Sequence, residues 1–325
     1  MKNLILFMSV FSVLFAGCRS KPAKNQKEVI IFNAGSLSVP LKQLADEYEK
    51  LNPATKILME PAGSLVCARK ITELKKPCDI IASADYFVID KLIVPEYALW
   101  SIRFATNEIV IAFQEKSKYA SEIDSANWMN ILLRDDVTYA RSDPDADPCG
   151  YRSVFAFKLA EKYYGIEGLE ERLLSKDKEF IRPKEVDLVA LIEANAVDYM
   201  FQYKSVAKQH GLKFIELPDY INLGNPARIE LYKSVSLEVT GNTPGSKLKV
   251  NGDYINYSLS VLTGSENKEN AIDFVAFLLS REGMDIFKKN GQDPIIPLIT
   301  DQPEMIPDKL KKYLEPGSPV KYYDE

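Results

Sequence analysis

Histidine is almost missing from this 325-residue chain; the single one, His210, stands just before Gly211. Ser-His-Asp and Cys-His catalysis both need an imidazole beside the nucleophile, so hydrolysis by an exported enzyme is a remote alternative. His210 itself reads as the last turn of a helix, where an imidazole suits the negative end of the dipole as a plain cap. Cysteine is equally sparse: Cys18, Cys67, Cys78 and Cys149 form neither a CxxC pair nor a Cys/His cluster, which leaves nothing to hold zinc. No charge of one sign dominates. Lys and Arg number 41 against 46 Asp and Glu, well mixed, so the chain offers no footprint for nucleic acid. Neither G-x-x-x-x-G-K-[ST] nor G-x-G-x-x-G occurs, which disfavours nucleotides. The apolar run from Leu4 to Ala16 falls short of the about 20 residues a membrane-spanning helix needs.

That run carries a different message. It follows the positive start Met1-Lys-Asn and ends in Leu14-Phe-Ala-Gly-Cys18, a pattern similar to a bacterial lipobox. Residues 1–17 are then a signal peptide, Cys18 takes a lipid, and residues 18–27, with Pro22 and Lys21, Lys24 and Lys27, form a tether. The expectation is an exported protein anchored on the periplasmic or extracellular face, without a transmembrane helix in the mature chain. In an oxidising compartment Cys67, Cys78 and Cys149 permit one disulfide and leave one thiol, and the pairing stays open.

The remaining chain is long enough for about two domains. Glu28–Asn33, Lys56–Glu60 and Cys78–Ser83 are short apolar runs typical of strands buried on both faces, each followed by a turn and a helix. Such units make a parallel sheet with right-handed crossovers, and ligands sit off the carboxyl ends of its strands. Asn107–Phe113 breaks the rhythm and is expected to cross into a second lobe. There Asp136–Ala140 and Asp198–Tyr203 are strands, and Tyr151–Tyr164, Glu185–Ala194 and Ser205–Gly211 are helices. Lys213–Pro218 is the expected return. Beyond it Ile229–Val239 and Ile255–Leu262 read as strands joined by the turn-rich Thr243–Gly252, and Ala271–Lys289 as one long amphipathic helix. The predicted fold is α/β with two lobes, each a mixed sheet flanked by helices: residues 28–111 and 222–313 form the first, 112–221 the second, and 314–325 a tail. Two crossings make a hinged cleft.

Chemistry concentrates in the turns. Ala34-Gly35-Ser36 and Ala62-Gly63-Ser64 are near-duplicates at equivalent strand-to-helix junctions. Glycine permits close approach, serine donates a hydrogen bond, and the free amides of a first helical turn attract an anion. Most single Gly-Ser turns are only N-caps; two in register facing a second lobe say more. That lobe offers Asp143-Pro-Asp-Ala-Asp147-Pro-Cys-Gly-Tyr-Arg152. The loop reads as a metal site, an anion site at a helix start opened by Gly150, or a rigid acidic turn. Calcium fails, because an EF-hand needs Gly and an acid where this loop has Pro148 and Val154.

Asn33-Ala-Gly-Ser-Leu37, Ala62-Gly-Ser64, Ala84-Asp-Tyr86, Asp147-Pro-Cys-Gly-Tyr-Arg-Ser153 and Tyr203-Lys-Ser-Val-Ala-Lys-Gln-His-Gly211 resemble, in that order, the tungstate/molybdate-binding proteins of ABC transporters, in their archaeal-type branch. The resemblance spans about Val29 to Pro297 and implies a type II periplasmic-binding-protein fold. It further implies a solute-binding protein without enzymatic activity or cofactor, expected as a monomer, that hands tungstate or molybdate to a permease and its ATPase. By resemblance, Gly35, Ser36 and Ser64 contribute donors from the first lobe. Asp147, the backbone around Pro148 and Cys149, and Tyr203 contribute from the second. Asp147 and a second acid, Glu185 or its neighbour Asp187, bind the metal of the oxyanion. The segment between Tyr164 and Ile181 is shorter than the family pattern, and Glu185 is aligned across that difference. The same fold with another ligand, such as sulfate, phosphate, ferric iron or an organic anion, is the alternative.

Overall fold

The computed structural model describes residues 26–241 and 245–314. The signal peptide, Cys18 and almost all of the tether and tail lie outside the described residues. Strands β1 (Lys27–Ala34), β2 (Thr55–Ala62) and β3 (Ile80–Ser83) are the three apolar runs, connected through α1 (Ser38–Leu51) and α2 (Ser64–Thr72), with α3 (Tyr86–Leu92) after β3. β1 pairs parallel with both β2 and β3. Helix α1 forms because Leu41, Leu44, Ala45 and Tyr48 recur at helical spacing and all bury against the sheet.

The chain then adds β4 (Ile102–Thr106) to this sheet and leaves it. β5 (Ile109–Phe113) belongs wholly to a second sheet, so the crossing falls at Asn107–Glu108, ahead of the expected 111/112 boundary. Around the second sheet lie α4 (Trp128–Leu132), β6 (Tyr139–Ser142), α5 (Pro148–Tyr164), α6 (Leu169–Ser175), β7 (Ile181–Arg182), α7 (Asp187–Glu193), β8 (Tyr199–Tyr203), α8 (Lys204–Gln209) and β9 (Lys213–Glu216). After the return come α9 (Ile229–Tyr232), β10 (Ser236–Thr240), β11 (Lys247–Asn251), β12 (Asn256–Val261), α10 (Lys268–Leu278), α11 (Arg281–Lys289), β13 (Asp293–Ile299) and α12 (Asp308–Lys311). Sheet one runs β13-β4-β12-β3-β1-β2, and sheet two runs β7-β6-β8-β5-β9. β12 returns antiparallel between β3 and β4, so the first lobe is built from both chain segments, while the second sheet comes from one continuous segment.

At the crossings Ile109 N donates to Asn222 O (2.9 Å), and Asn222 Nδ2 to Glu108 Oε2 (2.7 Å). Each lobe has its own aromatic core. Phe201 packs on Phe157, Trp128 and Tyr139 in the second, and Tyr48 on Phe274 and Phe104 on Phe287 in the first. Each such buried ring contributes about 1.5–3 kcal/mol of apolar burial.

Several expected elements are corrected. Ile229–Val239 is not one strand: Asn225 accepts a hydrogen bond from Ala227 N (2.9 Å) and Pro226 opens a 3₁₀ turn, so a local cap starts α9 and the strand waits until Ser236. The Thr243–Gly252 connection contains β11, paired antiparallel with β10. The helix expected over Ala271–Lys289 breaks in two, because Ser280 caps α11 by accepting from Gly283 N (3.3 Å). Gly283 also lets α11 pack on the end of α10, where a Cβ would come within 2.1 Å of Leu278 O. β6 lies later than the expected 136–140. Helix α5 begins at Pro148 instead of Tyr151, with Asp147 as its N-cap, and α7 begins at Asp187 instead of Glu185.

Candidate oxyanion site between the lobes

The Gly-Ser turns of the first lobe and the acidic loop of the second meet face to face. β1 ends at Ala34 and runs into a 3₁₀ turn, Gly35–Leu37, in which Ser36 is buried. β2 ends at Ala62, and Ser64 is the first residue of α2, also buried. A Cβ on Gly63 would sit 2.3 Å from Ala146 O and 3.0 Å from Pro183 O. One on Gly35 would sit 2.9 Å from Glu185 Oε1 and from Val186 Cγ2. Both glycines therefore touch the opposite lobe, and their missing side chains are what let the lobes close.

Asp147 organises the other wall. Its Oδ1 accepts from Cys149 N (3.0 Å) as the α5 cap, and its Oδ2 accepts from Glu185 N (2.7 Å). Gln202, buried at the end of β8, donates through Nε2 to Glu185 O (2.8 Å) and accepts at Oε1 from Tyr203 N (2.7 Å). The backbone of Glu185 is thus held twice. Its carboxylate faces Asp147 and Ser36, but among the described residues neither Oε1 nor Oε2 has a well-formed hydrogen bond, although the residue is fully buried. Ser36 Oγ also lacks a well-formed hydrogen bond, with Glu185 and Tyr257 beside it. Gln292 donates through Nε2 to Ser36 O (2.9 Å) and leaves its own Oε1 without a partner. Ser64 Oγ accepts from Ala84 N (3.0 Å) and keeps its proton to donate.

Burial first, and the Asp147 charge second, push the Glu185 carboxyl well above the usual range. Burial also raises Asp147, against the pull of its hydrogen bonds. Two carboxylates in one dry pocket cannot both stay charged at neutral pH unless a cation or a set of donors joins them.

Of the residues expected here, the structure brings Gly35, Ser36, Ser64, Asp147, Glu185 and Tyr203 to one place. Pro148 has no N–H to give, and the Cys149 amide is occupied by Asp147, so these two support the acid. Asp187 is more than a third exposed and pairs with Lys184 (3.4 Å). Gly150 packs under the acidic loop itself, where a Cβ would meet Asp143 C at 2.4 Å, so the close approach is backbone and not ligand. Asp143 Oδ1 caps Asp145 N (2.9 Å), as a turn residue does. Asp145 does more than face solvent, since its Oδ1 accepts from Thr240 N (2.6 Å) and its carbonyl from Arg69 of the first lobe. The thiols of Cys67, Cys78 and Cys149 are all free and buried. The sequence reading missed Gln202, Gln292 and the whole of a buried polar cluster formed by Ala84, Asp85, Tyr151 and Arg152. Its signal was present: Asp85 follows an apolar strand by two residues, a costly place for a buried acid without a partner.

Two mixed α/β lobes crossed twice by the chain, with polar groups gathered between them, define a protein that captures a solute by closing on it. The chain belongs to the family described as bacterial extracellular solute-binding proteins, which its residues 29–292 match. It is 42% identical over 337 residues to the molybdate/tungstate-binding protein WtpA of Pyrococcus abyssi, covering 94% of this chain and 96% of that one. To the protein of the same name from Thermococcus kodakarensis it is 40% identical over 344 residues, covering 96% and 95%. The fold is similar to the periplasmic molybdate-binding protein of Azotobacter vinelandii (TM-score 0.61, 17% identity, 83% of this chain and 99% of that one). It is equally similar to the sulfate-binding protein SubI of Mycobacterium tuberculosis (TM-score 0.61, 11% identity, 83% and 88%). The architecture is therefore the two-lobed fold of periplasmic solute-binding proteins, a family of transport proteins and not of enzymes. Among the described residues no helix is long and apolar enough to cross a membrane.

Proposed function

We propose that the protein captures tungstate or molybdate outside the cytoplasm, closes over it, and presents it to a membrane permease and its ATPase. The observation that carries this reading is Glu185: a fully buried carboxylate with both oxygens unpartnered, beside a second buried acid and facing a Gly-Ser turn. Carboxylates do not belong beside a simple anion. Two unit charges about 4 Å apart repel by roughly 4 kcal/mol at an effective dielectric of 20. A sulfate, whose sulfur takes no further donors, meets that repulsion in full. Molybdenum(VI) and tungsten(VI) are hard centres that accept additional oxygens, so Asp147 and Glu185 bind the metal and turn repulsion into coordination. Ser36, Ser64 and Tyr203 then donate to the oxyanion oxygens. Relatives that carry molybdate and tungstate in their names, at about two-fifths identity over nearly the whole chain, support the same ligands.

Cys18 anchors the protein through a lipid, with residues 18–27 as tether, and it works as a monomer. Thermal unfolding of the mature protein with tungstate, molybdate, sulfate and phosphate tests the ligand. At a hundredfold excess over Kd a ligand adds about 2.7 kcal/mol, a shift of several degrees. Tungstate and molybdate are expected to raise the midpoint, and sulfate and phosphate to leave it in place. A rise with sulfate alone would replace this reading by the sulfate one.

A further inference from the structure

The polar cluster beside the oxyanion site contains a fully buried cation that no ligand contact explains. Arg152, in the second turn of α5, donates through Nη1 to Ala84 O (2.6 Å) and to the Tyr203 hydroxyl (2.9 Å), and its Nη2 lies 3.0 Å from Asp85 Oδ2. Asp85 comes from the first lobe. Its Oδ2 also accepts from the Tyr151 hydroxyl (2.6 Å), and its Oδ1 from Phe87 N (3.0 Å) at the start of α3. One guanidinium thus spans both lobes, and all three of its partners are nine-tenths buried or more.

We infer that Arg152 is a positioning residue with two linked tasks: it fixes the Tyr203 hydroxyl as a hydrogen-bond donor toward the oxyanion, and it latches the closed lobes on Asp85 and the Ala84 carbonyl. The first task follows from hydrogen-bond valence. Arginine has no acceptor, so the Tyr203 oxygen must accept from Nη1, and the phenol proton must point elsewhere. Among the described residues no acceptor takes that proton, and it is left for the ligand. The second follows from connectivity. Ala84 gives its amide to Ser64 Oγ and its carbonyl to Arg152, so a serine expected to touch the ligand and the latch meet on one residue. An ion pair drawn out of water gains little net energy, but its donors and acceptors match in only one relative placement of the lobes. The latch therefore sets where the lobes stop as well as holding them there.

The ligand part of this inference rests on the tungstate reading, and the test separates the two. Tungstate affinity is measured by titration calorimetry for wild type, Tyr203→Phe, Arg152→Met and the double variant. With Arg152 present, loss of one donor to a charged ligand costs about tenfold in Kd. In the Arg152→Met background the same Tyr203→Phe change is expected to cost less than about twofold, because the hydroxyl is no longer oriented. Losses that simply multiply overturn the positioning role. If Arg152→Met does not fold, as judged by its ligand-free melting, Arg152→Lys serves in the same cycle, since one ammonium lacks the planar fork that reaches Ala84 O, Tyr203 and Asp85 together. Asp85→Asn is expected to speed tungstate release about tenfold with little change in association rate, and unchanged release overturns the latch. Wild-type protein that binds neither tungstate nor molybdate overturns the functional reading instead. The latch is then judged from ligand-free spin-label distances between the lobes: longer distances in Arg152→Met support it, and distances equal to wild type overturn it.

Discussion

Two buried polar regions lie side by side between the lobes, and they are built in opposite ways. Around Arg152 and Asp85 donors and acceptors are matched but for the Tyr203 proton, with five short contacts among four side chains, one carbonyl and one backbone amide. Around Glu185 the backbone is pinned, but the side-chain atoms that face inward are left over: both Glu185 oxygens, Ser36 Oγ and Gln292 Oε1. An unmatched buried polar atom costs about 1–3 kcal/mol. A closed protein without ligand therefore carries a penalty of several kcal/mol in one region and little in its neighbour, where only the Tyr203 proton is left over. The difference teaches where the ligand must be. The matched region fixes the geometry of closure, and the unmatched one waits for an oxyanion whose oxygens and metal supply what is missing.

The largest test of this comparison fills the unmatched region from the protein side. In the paired variant Asp147→Asn with Glu185→Gln, tungstate loses both metal donors. At about 1.5 kcal/mol or more for each charged contact, affinity falls at least about a hundredfold by calorimetry. Unchanged tungstate affinity removes the carboxylates from the mechanism.

Gly63→Ala sharpens the comparison by separating closure from folding. Gly63 has φ of −60°, so alanine is allowed locally. Its methyl, however, would lie 2.3 Å from Ala146 O, across the cleft. An open protein tolerates that methyl and a closed one does not. Tungstate affinity is expected to fall about thirtyfold, equivalent to about 2 kcal/mol of lost closure, while the ligand-free melting midpoint moves by less than a degree or two. A fall in melting without a fall in affinity would place Gly63 in the fold and not in the closing surface.

pH separates the two regions next, because the Glu185 carboxyl is raised from its ordinary 4.5 while the arginine at the latch does not titrate. A raised folded-state value means that the folded form holds its proton more tightly than the unfolded chain. That contribution is fully present below about pH 4.5 and is lost as pH climbs through the folded value. Ligand-free stability is thus expected to fall with rising pH by up to about 1.4 kcal/mol per unit over that window. Glu185→Gln should flatten the fall. A denaturation series across pH with an unchanged slope in the variant would assign the loss to another group.

How much of this was legible in the sequence depends on distance along the chain. The two Gly-Ser turns could be read because strand, glycine, serine and helix are neighbours, and each signal is local. The same locality misled at Ile229, where an apolar run looked like a strand and Pro226 with the Asn225 cap made a helical turn instead. The latch was invisible as a unit. Asp85 and Arg152 each stood in a quoted motif, but their pairing exists only after two lobes have folded and docked, and no spacing rule encodes that. Asp145 shows the same limit: in the sequence it was one acid of a loop with three open readings, and its tie to the β10 backbone appears only in the fold. Gln202 and Gln292 carry no sequence signature beyond polar side chains next to apolar runs.

The smallest expected effect is as informative as the largest. Asp187 lies two residues from Glu185, and by resemblance alone either could be the second acid. Their surroundings differ completely. Glu185 precedes α7, is fully buried, and has its backbone tied to Asp147 and Gln202. Asp187 is the first residue of α7, more than a third exposed, in an i,i+3 pair with Lys184. An exposed pair of that kind is worth about 0.5 kcal/mol or less, and an acid in the first turn adds a similar amount through the helix dipole. Asp187→Asn should therefore cost under about 1 kcal/mol in denaturation and leave tungstate affinity within twofold of wild type. A tenfold loss from Asp187→Asn with little from Glu185→Gln would exchange their roles, and with them the meaning of the unpartnered carboxylate on which the comparison rests.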